Sequence, residues 1–69
     1  MDTIKQMKSR LSEELIEQGI SRADLAKLSA TSLDTVNRYL SPYIPGGNIE
    51  IWLKFSKALG YEGLEWLIV

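Results

Sequence analysis

The chain has 69 residues, which predicts a single domain close to the lower size limit for a self-sufficient hydrophobic core. It contains no cysteine and no histidine, which argues against disulfides, zinc sites and Ser-His hydrolases. We therefore expect no metal, no cofactor, no small-molecule substrate and no catalysis. The net charge is −1 and the sequence pI about 5.3, so the chain lacks the basic excess usual in nucleic-acid-binding proteins.

The sequence predicts neither a membrane span nor an export signal. No segment reaches the roughly 18 consecutive apolar residues of a membrane span. The first ten residues, MDTIKQMKSR, have an acidic second residue and no apolar stretch of the kind found in signal peptides. We therefore expect a cytoplasmic protein that does not contact a membrane.

The first predicted helix covers about residues 2–18. Apolar residues recur there at spacings of three and four, which places them on one face: Ile4, Met7, Leu11 and Leu15. Most charged residues of the segment fall off that face, and we expect Glu13, Glu14 and Glu17 to be solvated. Gly19 is a helix stop, and Ile20 is expected to enter the core.

Two short helices should follow. Ser21 and Asp24 form a capping-box pattern that predicts a second helix over about 22–29. Its inward residues should be Leu25, Ala26 and Leu28. Ser32 caps a third helix over about 33–40, whose inward residues should be Val36 and Leu40, helped by Leu33 or Tyr39.

The segment SPYIPGGN holds two prolines, two glycines and an asparagine, and it predicts a loop. Asn48 is expected to cap a fourth helix, which spans about 48–59 with its cap and ends at Gly60. Its inward residues should be Ile49, Trp52, Phe55, Ser56 and Leu59. A short last helix over about 61–67 completes an all-α fold, a compact bundle of four to five short helices in one domain over 1–69.

The segment ISRADLAKLSATSLDTVNRYL, residues 20–40, resembles the helix-turn-helix of the Cro-type, lambda-repressor-like family. Leu25-Ala26 match the centre of that family's second helix, Ser32 the cap of its recognition helix, and Val36 the inward aliphatic residue. The downstream NIEIWLKFSKALGY is similar to the family's fourth helix. The family usually has glycine where this chain has Ala30, so Ala30 should adopt a strained backbone or a slightly different turn.

The resemblance implies a small phage- or plasmid-type transcriptional regulator of a bacterial host cell, which binds double-stranded operator DNA as a homodimer. The third helix would enter the major groove, with an Asn able to pair with adenine, an Arg with guanine and a Leu to touch a thymine methyl. The residues placed at the DNA are Arg22, Leu33, Asp34, Thr35, Asn37 and Arg38. Asp34 also has a local explanation, because a carboxylate in the first turn is stabilised by the helix dipole.

A second hypothesis belongs to another class of function. The chain has more apolar residues than one small core requires, and exposed apolar clusters usually mark protein interfaces. The candidates for such an interface are Tyr43, Ile44, Ile51, Trp66, Ile68 and Val69. On this reading the protein is an antirepressor, or modulator of repression, that binds a partner repressor and blocks its DNA binding.

Overall fold

The structure is a computed structural model that describes residues 3–44 and 46–68. Within these residues the chain forms five helices and no strand, which confirms the all-α prediction. The helices are α1 (Thr3–Gln18), α2 (Arg22–Leu28), α3 (Leu33–Leu40), α4 (Ile49–Ala58) and α5 (Glu65–Ile68). None of the described helices is long and apolar enough to cross a bilayer. The interface candidate Val69 lies outside the described residues.

Three aromatic rings form the centre of the core. Trp52 and Phe55 of α4 are fully buried, and Tyr39 of α3 packs edge-on against both, with ring centroids 5.2 and 5.6 Å away. The other helices contribute aliphatic residues around this cluster. The buried apolar set is Met7, Leu11, Leu15, Leu25, Ala26, Val36, Tyr39, Trp52, Phe55, Leu59 and Leu67.

The predicted helix caps are confirmed. The Ser21 hydroxyl accepts the Asp24 backbone N–H at 3.1 Å, and the Asp24 carboxylate accepts the Ser21 backbone N–H at 3.4 Å. This is a complete capping box at the start of α2. Ser32 and Asn48 cap α3 and α4 through their side-chain oxygens. Local polar residues therefore set where these three helices begin.

Three residues predicted to face inward lie at the surface. Leu28 is 57% exposed, Ile49 is 52% exposed and Leu33 is 47% exposed. Each lies at a helix terminus, where the bundle does not cover the whole apolar face. At the end of α2, Ser29 is buried and Leu28 is exposed. In α3, Tyr39 is buried and Leu33 is exposed.

Two charged residues of α1 lie in the interior, so the prediction of a solvated charged face was wrong for Glu14. Its carboxylate accepts hydrogen bonds from Gln18 Nε2 at 2.7 Å and the Tyr61 hydroxyl at 2.9 Å. Arg10 forms an ion pair with it at 3.0 Å. Lys8 is also buried, because its position falls on the apolar stripe, four residues after Ile4.

The helix α5 packs against α1, and its Trp66 also contacts the connection that follows α4. Trp66 stacks on Tyr61 with 4.4 Å between ring centroids and 9° between planes. Its indole N–H donates to the Ser56 hydroxyl at 2.9 Å, and the Arg10 guanidinium lies 5.4 Å from its ring centroid. The last helix begins at Glu65, later than the predicted residue 61, because the positive φ of Gly63 (69°) interrupts helical geometry.

Candidate nucleic-acid interface

The candidate surface is built on α2 and α3, which are joined by residues 29–32. The Ser29 hydroxyl is buried in this connection, where it donates to the Leu25 carbonyl at 2.7 Å and lies 2.8 Å from the Thr31 hydroxyl. The Thr31 backbone N–H donates to the Ala26 carbonyl at 2.9 Å. These bonds attach the connection to the last turn of α2 and so fix where α3 starts.

Ala30 takes the left-handed backbone conformation at φ 57°. It is the one non-glycine residue with positive φ among the described residues. Of the two alternatives expected from its sequence position, the structure adopts the strained one. A Cβ in this region costs on the order of 1 kcal/mol relative to glycine. The connection therefore keeps its geometry at a local cost.

The structure brings Arg22 and Asn37 together, although 15 residues separate them. The Arg22 Nη1 group donates to Asn37 Oδ1 at 2.8 Å, and both side chains are exposed. The bond links the first turn of α2 to the outer face of α3. It directs the Asn37 amide oxygen toward Arg22 and leaves the amide NH₂ group as a donor for a ligand.

The other predicted DNA-contacting residues lie on or beside the same helix. Asp34 and Arg38 are one turn apart and form an ion pair at 3.2 Å, with side chains 79% and 63% exposed. Thr35 is half-buried, and its hydroxyl lies 2.9 Å from that of the cap Ser32. Leu33 lies exposed in the first turn. The outer face of α3 therefore carries Leu33, Asp34, Asn37 and Arg38, with Thr35 at its margin.

The electrostatics of this surface are close to neutral. Residues 21–40 hold three basic and two acidic side chains, and one basic side chain, Arg38, is paired with Asp34. The pair is exposed, and ion pairs of that kind contribute about 0–1 kcal/mol. A ligand with a stronger negative charge can therefore displace Asp34 from Arg38 at small cost.

Lys8, a buried residue of α1, holds the carboxyl end of α3 through hydrogen bonds. This role was not predicted from the sequence. The Lys8 ammonium group donates to the carbonyls of Arg38, Ser41 and Ile44 at and beyond the carboxyl end of α3, the first of these at 3.4 Å. A cation there also opposes the negative end of the helix dipole. The signal in the sequence that could have revealed this role is the position of Lys8 on the apolar stripe of α1, which predicts that its side chain is buried.

The predicted protein-interface residues divide into two groups. Tyr43 is 91% exposed, Ile44 is 42% exposed and Ile68 is 47% exposed. Ile51 and Trp66 instead pack against the core. Substitutions at those two positions would therefore test stability more than partner binding.

No family model, curated protein or solved structure matches this chain. Among residues 3–44 and 46–68, no three acidic, histidine or cysteine side chains are grouped in a way that could hold a metal ion. The outer face of α3, with Arg22 beside it, joins exposed polar side chains of two helices through the bond between Arg22 and Asn37 and the ion pair between Asp34 and Arg38.

Proposed function

We propose that the protein is a small transcriptional regulator with a lambda-repressor-like helix-turn-helix fold, and that it binds operator DNA through α3. The observation that carries the proposal is the hydrogen bond of 2.8 Å between Arg22 and Asn37. It orients an amide on the outer face of the second helix of the pair and places a guanidinium beside it. In a helix-turn-helix, an amide at that place can contact a base edge and a guanidinium beside it can bind a phosphate.

The roles follow from the chemistry of each group. Asn37 pairs with adenine, because its amide can donate to N7 while its oxygen accepts from N6. Arg38 leaves Asp34 and donates to guanine or a phosphate. Leu33 contacts a thymine methyl group. Arg22 keeps unused guanidinium N–H groups, and these hold a phosphate next to the base that Asn37 reads.

A second candidate is the protein-directed function, and the ion pair between Asp34 and Arg38 is the observation that favours it. The pair has no net charge, so the outer face of α3 carries no positive excess, and Leu33 lies exposed in the first turn of the same helix. A neutral face with an exposed leucine suits a repressor partner better than a phosphate backbone. On this reading α3 occupies the partner's DNA-reading surface or dimer interface.

The test is selection of binding sites from a random duplex DNA library by the purified protein, followed by titration of the enriched site at several salt concentrations. The proposal predicts an enriched motif. It also predicts affinity that falls with salt, by a logarithmic slope of about −0.9 for each phosphate neutralised. Absence of an enriched motif at low salt, combined with binding to a repressor protein and a negative heat-capacity change, would establish the second candidate instead.

One substitution at Asn37 separates base reading from folding. Asn37→Asp keeps an oxygen that accepts from Arg22, so the link between α2 and α3 remains. The added carboxylate, however, is repelled by phosphates. We expect Asn37→Asp to abolish site-specific binding and to leave the melting temperature nearly unchanged. Lys5→Ala, on α1, is the control and should bind the selected site within about threefold of wild type, a free-energy change of about 0.65 kcal/mol.

A further inference from the structure

A shallow groove lies between the end of α2 and the second half of α4. Its volume is about 220 Å³, and Leu28 and Ala58 provide its apolar surface. Lys54 and Lys57 line it as well, and neither forms an ion pair with any described residue. We refer to these four residues as the basic groove. An apolar surface flanked by two unpaired cations fits an apolar side chain flanked by anions.

The same chain carries such a group on the outer face of α1. Ile16 is 79% exposed, more than any other large aliphatic side chain among the described residues. Glu13 and Glu17 lie three residues before it and one after it, and both are exposed. Neither carboxylate is paired with a cation within the described part of the chain. We refer to these three residues as the acidic ridge.

We propose that the protein self-associates head to tail, with the acidic ridge of one copy in the basic groove of the next. Ile16 would contact Leu28 and Ala58, while Glu13 and Glu17 face Lys54 and Lys57. The spacings agree: the two glutamates are one helical turn apart on α1, and the two lysines are three residues apart on α4. Charge complementarity therefore selects a second copy as the occupant.

This contact has two consequences that distinguish it from a symmetric dimer. Two different surfaces meet, so the association is heterologous and each added copy leaves a ridge and a groove unused. The surfaces are small, so the affinity is low and assembly appears at high local concentration. Neither the ridge nor the groove contains Asn37 or Arg38, so the inference does not rest on DNA binding.

The test is sedimentation velocity of the full chain from micromolar to millimolar concentration, at low salt. Wild type should show a weight-average sedimentation coefficient that rises with concentration and falls back when salt is added. Ile16→Asp removes the apolar residue of the ridge, and the double substitution Lys54→Glu with Lys57→Glu reverses the charge of the groove. Each variant alone should associate at least about tenfold more weakly. Ile16→Asp loses the apolar contact and places a carboxylate against Leu28 and Ala58, whereas in the lysine variant like charges meet. Far-UV circular dichroism checks that both remain folded.

Mixing the two variants gives the decisive measurement. Ile16→Asp keeps an intact groove and the lysine variant keeps an intact ridge, so the mixture should form a one-to-one dimer that does not grow. Tyr43→Asp, at an exposed apolar residue outside both surfaces, should associate like wild type. A monomeric wild type, a mixture that does not associate, or loss of association in Tyr43→Asp alone would each overturn the proposal. Loss of DNA binding by the lysine variant with a monomeric wild type would instead make Lys54 and Lys57 phosphate contacts.

Discussion

The ammonium group of Lys8, on α1, donates a hydrogen bond to the backbone carbonyl of Arg38, 3.4 Å away in the last turn of α3. The same group donates to the carbonyls of Ser41 and Ile44, which follow that helix. A buried lysine is costly unless its charge is satisfied, and here three carbonyl oxygens satisfy it. The carboxyl end of the candidate recognition helix is therefore held by a side chain 30 residues earlier in the chain.

Replacing Lys8 by methionine should destabilise the protein. Met keeps most of the apolar stem but removes the Lys8 donor from the three carbonyls, of which only that of Arg38 also accepts the Ser41 backbone N–H. We expect this to lower the free energy of unfolding by about 1–3 kcal/mol. Equilibrium denaturation in urea at neutral pH measures the change. The control is Lys57→Met, at an exposed lysine that forms no ion pair with any described residue, which should change stability by less than about 0.5 kcal/mol. Equal effects of the two substitutions would show that Lys8 does not stabilise the end of α3.

Replacing Ala30 by glycine should stabilise the protein. Ala30 has φ 57°, a conformation that glycine adopts without steric conflict. We expect the free energy of unfolding to rise by about 0.5–1 kcal/mol, measured by urea denaturation. The same substitution at Ala23, an exposed residue inside α2, should lower it by about 0.5–1 kcal/mol, because glycine weakens a helix. If Ala→Gly raises the free energy of unfolding at position 30 and lowers it at position 23, backbone strain at Ala30 explains the stabilisation.

Local signals in the sequence predicted most of the fold. The apolar stripe of α1 and the caps Ser21, Ser32 and Asn48 depend on residues within one or two turns, so they can be read without tertiary information. The surface position of Leu28 could not be read this way. It depends on how far α4 extends over the end of α2, and periodicity does not specify that.

The sequence likewise predicted only those features of the candidate site that depend on local spacing. The exposed positions on α3 follow from the inward position of Val36, and the ion pair of Asp34 with Arg38 follows from their spacing of four. The bond between Arg22 and Asn37 depends on the crossing of α2 and α3, so only the structure reveals it. The buried Glu14 was missed because its partner Tyr61 lies 47 residues away.

Glu14 should make the stability of the protein sensitive to acid. The pKa of its carboxyl lies below the ordinary glutamate value, chiefly because Gln18 donates a hydrogen bond to the carboxylate. The Tyr61 hydroxyl and the charge of Arg10 also lower this pKa, while burial opposes the shift. Because the unfolded chain then binds this proton more tightly than the folded chain, the stabilising contribution is present above the ordinary pKa. It is lost as the pH falls through the lower folded value.

Glu14→Gln tests this linkage. The variant should be less stable than wild type at neutral pH, and its free energy of unfolding should fall less between neutral pH and about pH 3. Urea denaturation at a series of pH values measures both effects. Glu62→Gln, at an exposed carboxylate without a cation partner among the described residues, is the matched control and should keep the wild-type pH dependence. A wild-type pH profile in Glu14→Gln would contradict the assignment.

Replacing Asp34 by asparagine should strengthen DNA binding if α3 is the recognition helix. The substitution removes a carboxylate that phosphates repel and releases Arg38 from its exposed ion pair, at a cost in stability of at most about 1 kcal/mol. Arg38 can then neutralise one more phosphate, so the logarithmic salt slope should become steeper by about 0.9. Fluorescence anisotropy with the selected duplex at several salt concentrations measures affinity and slope together.

The control for this prediction is Glu62→Gln, which makes the same change in net charge away from α3 and should leave the slope unchanged. Weaker binding by Asp34→Asn, or equal effects of the two variants, would exclude α3 as the surface that faces DNA and would favour the protein-directed function.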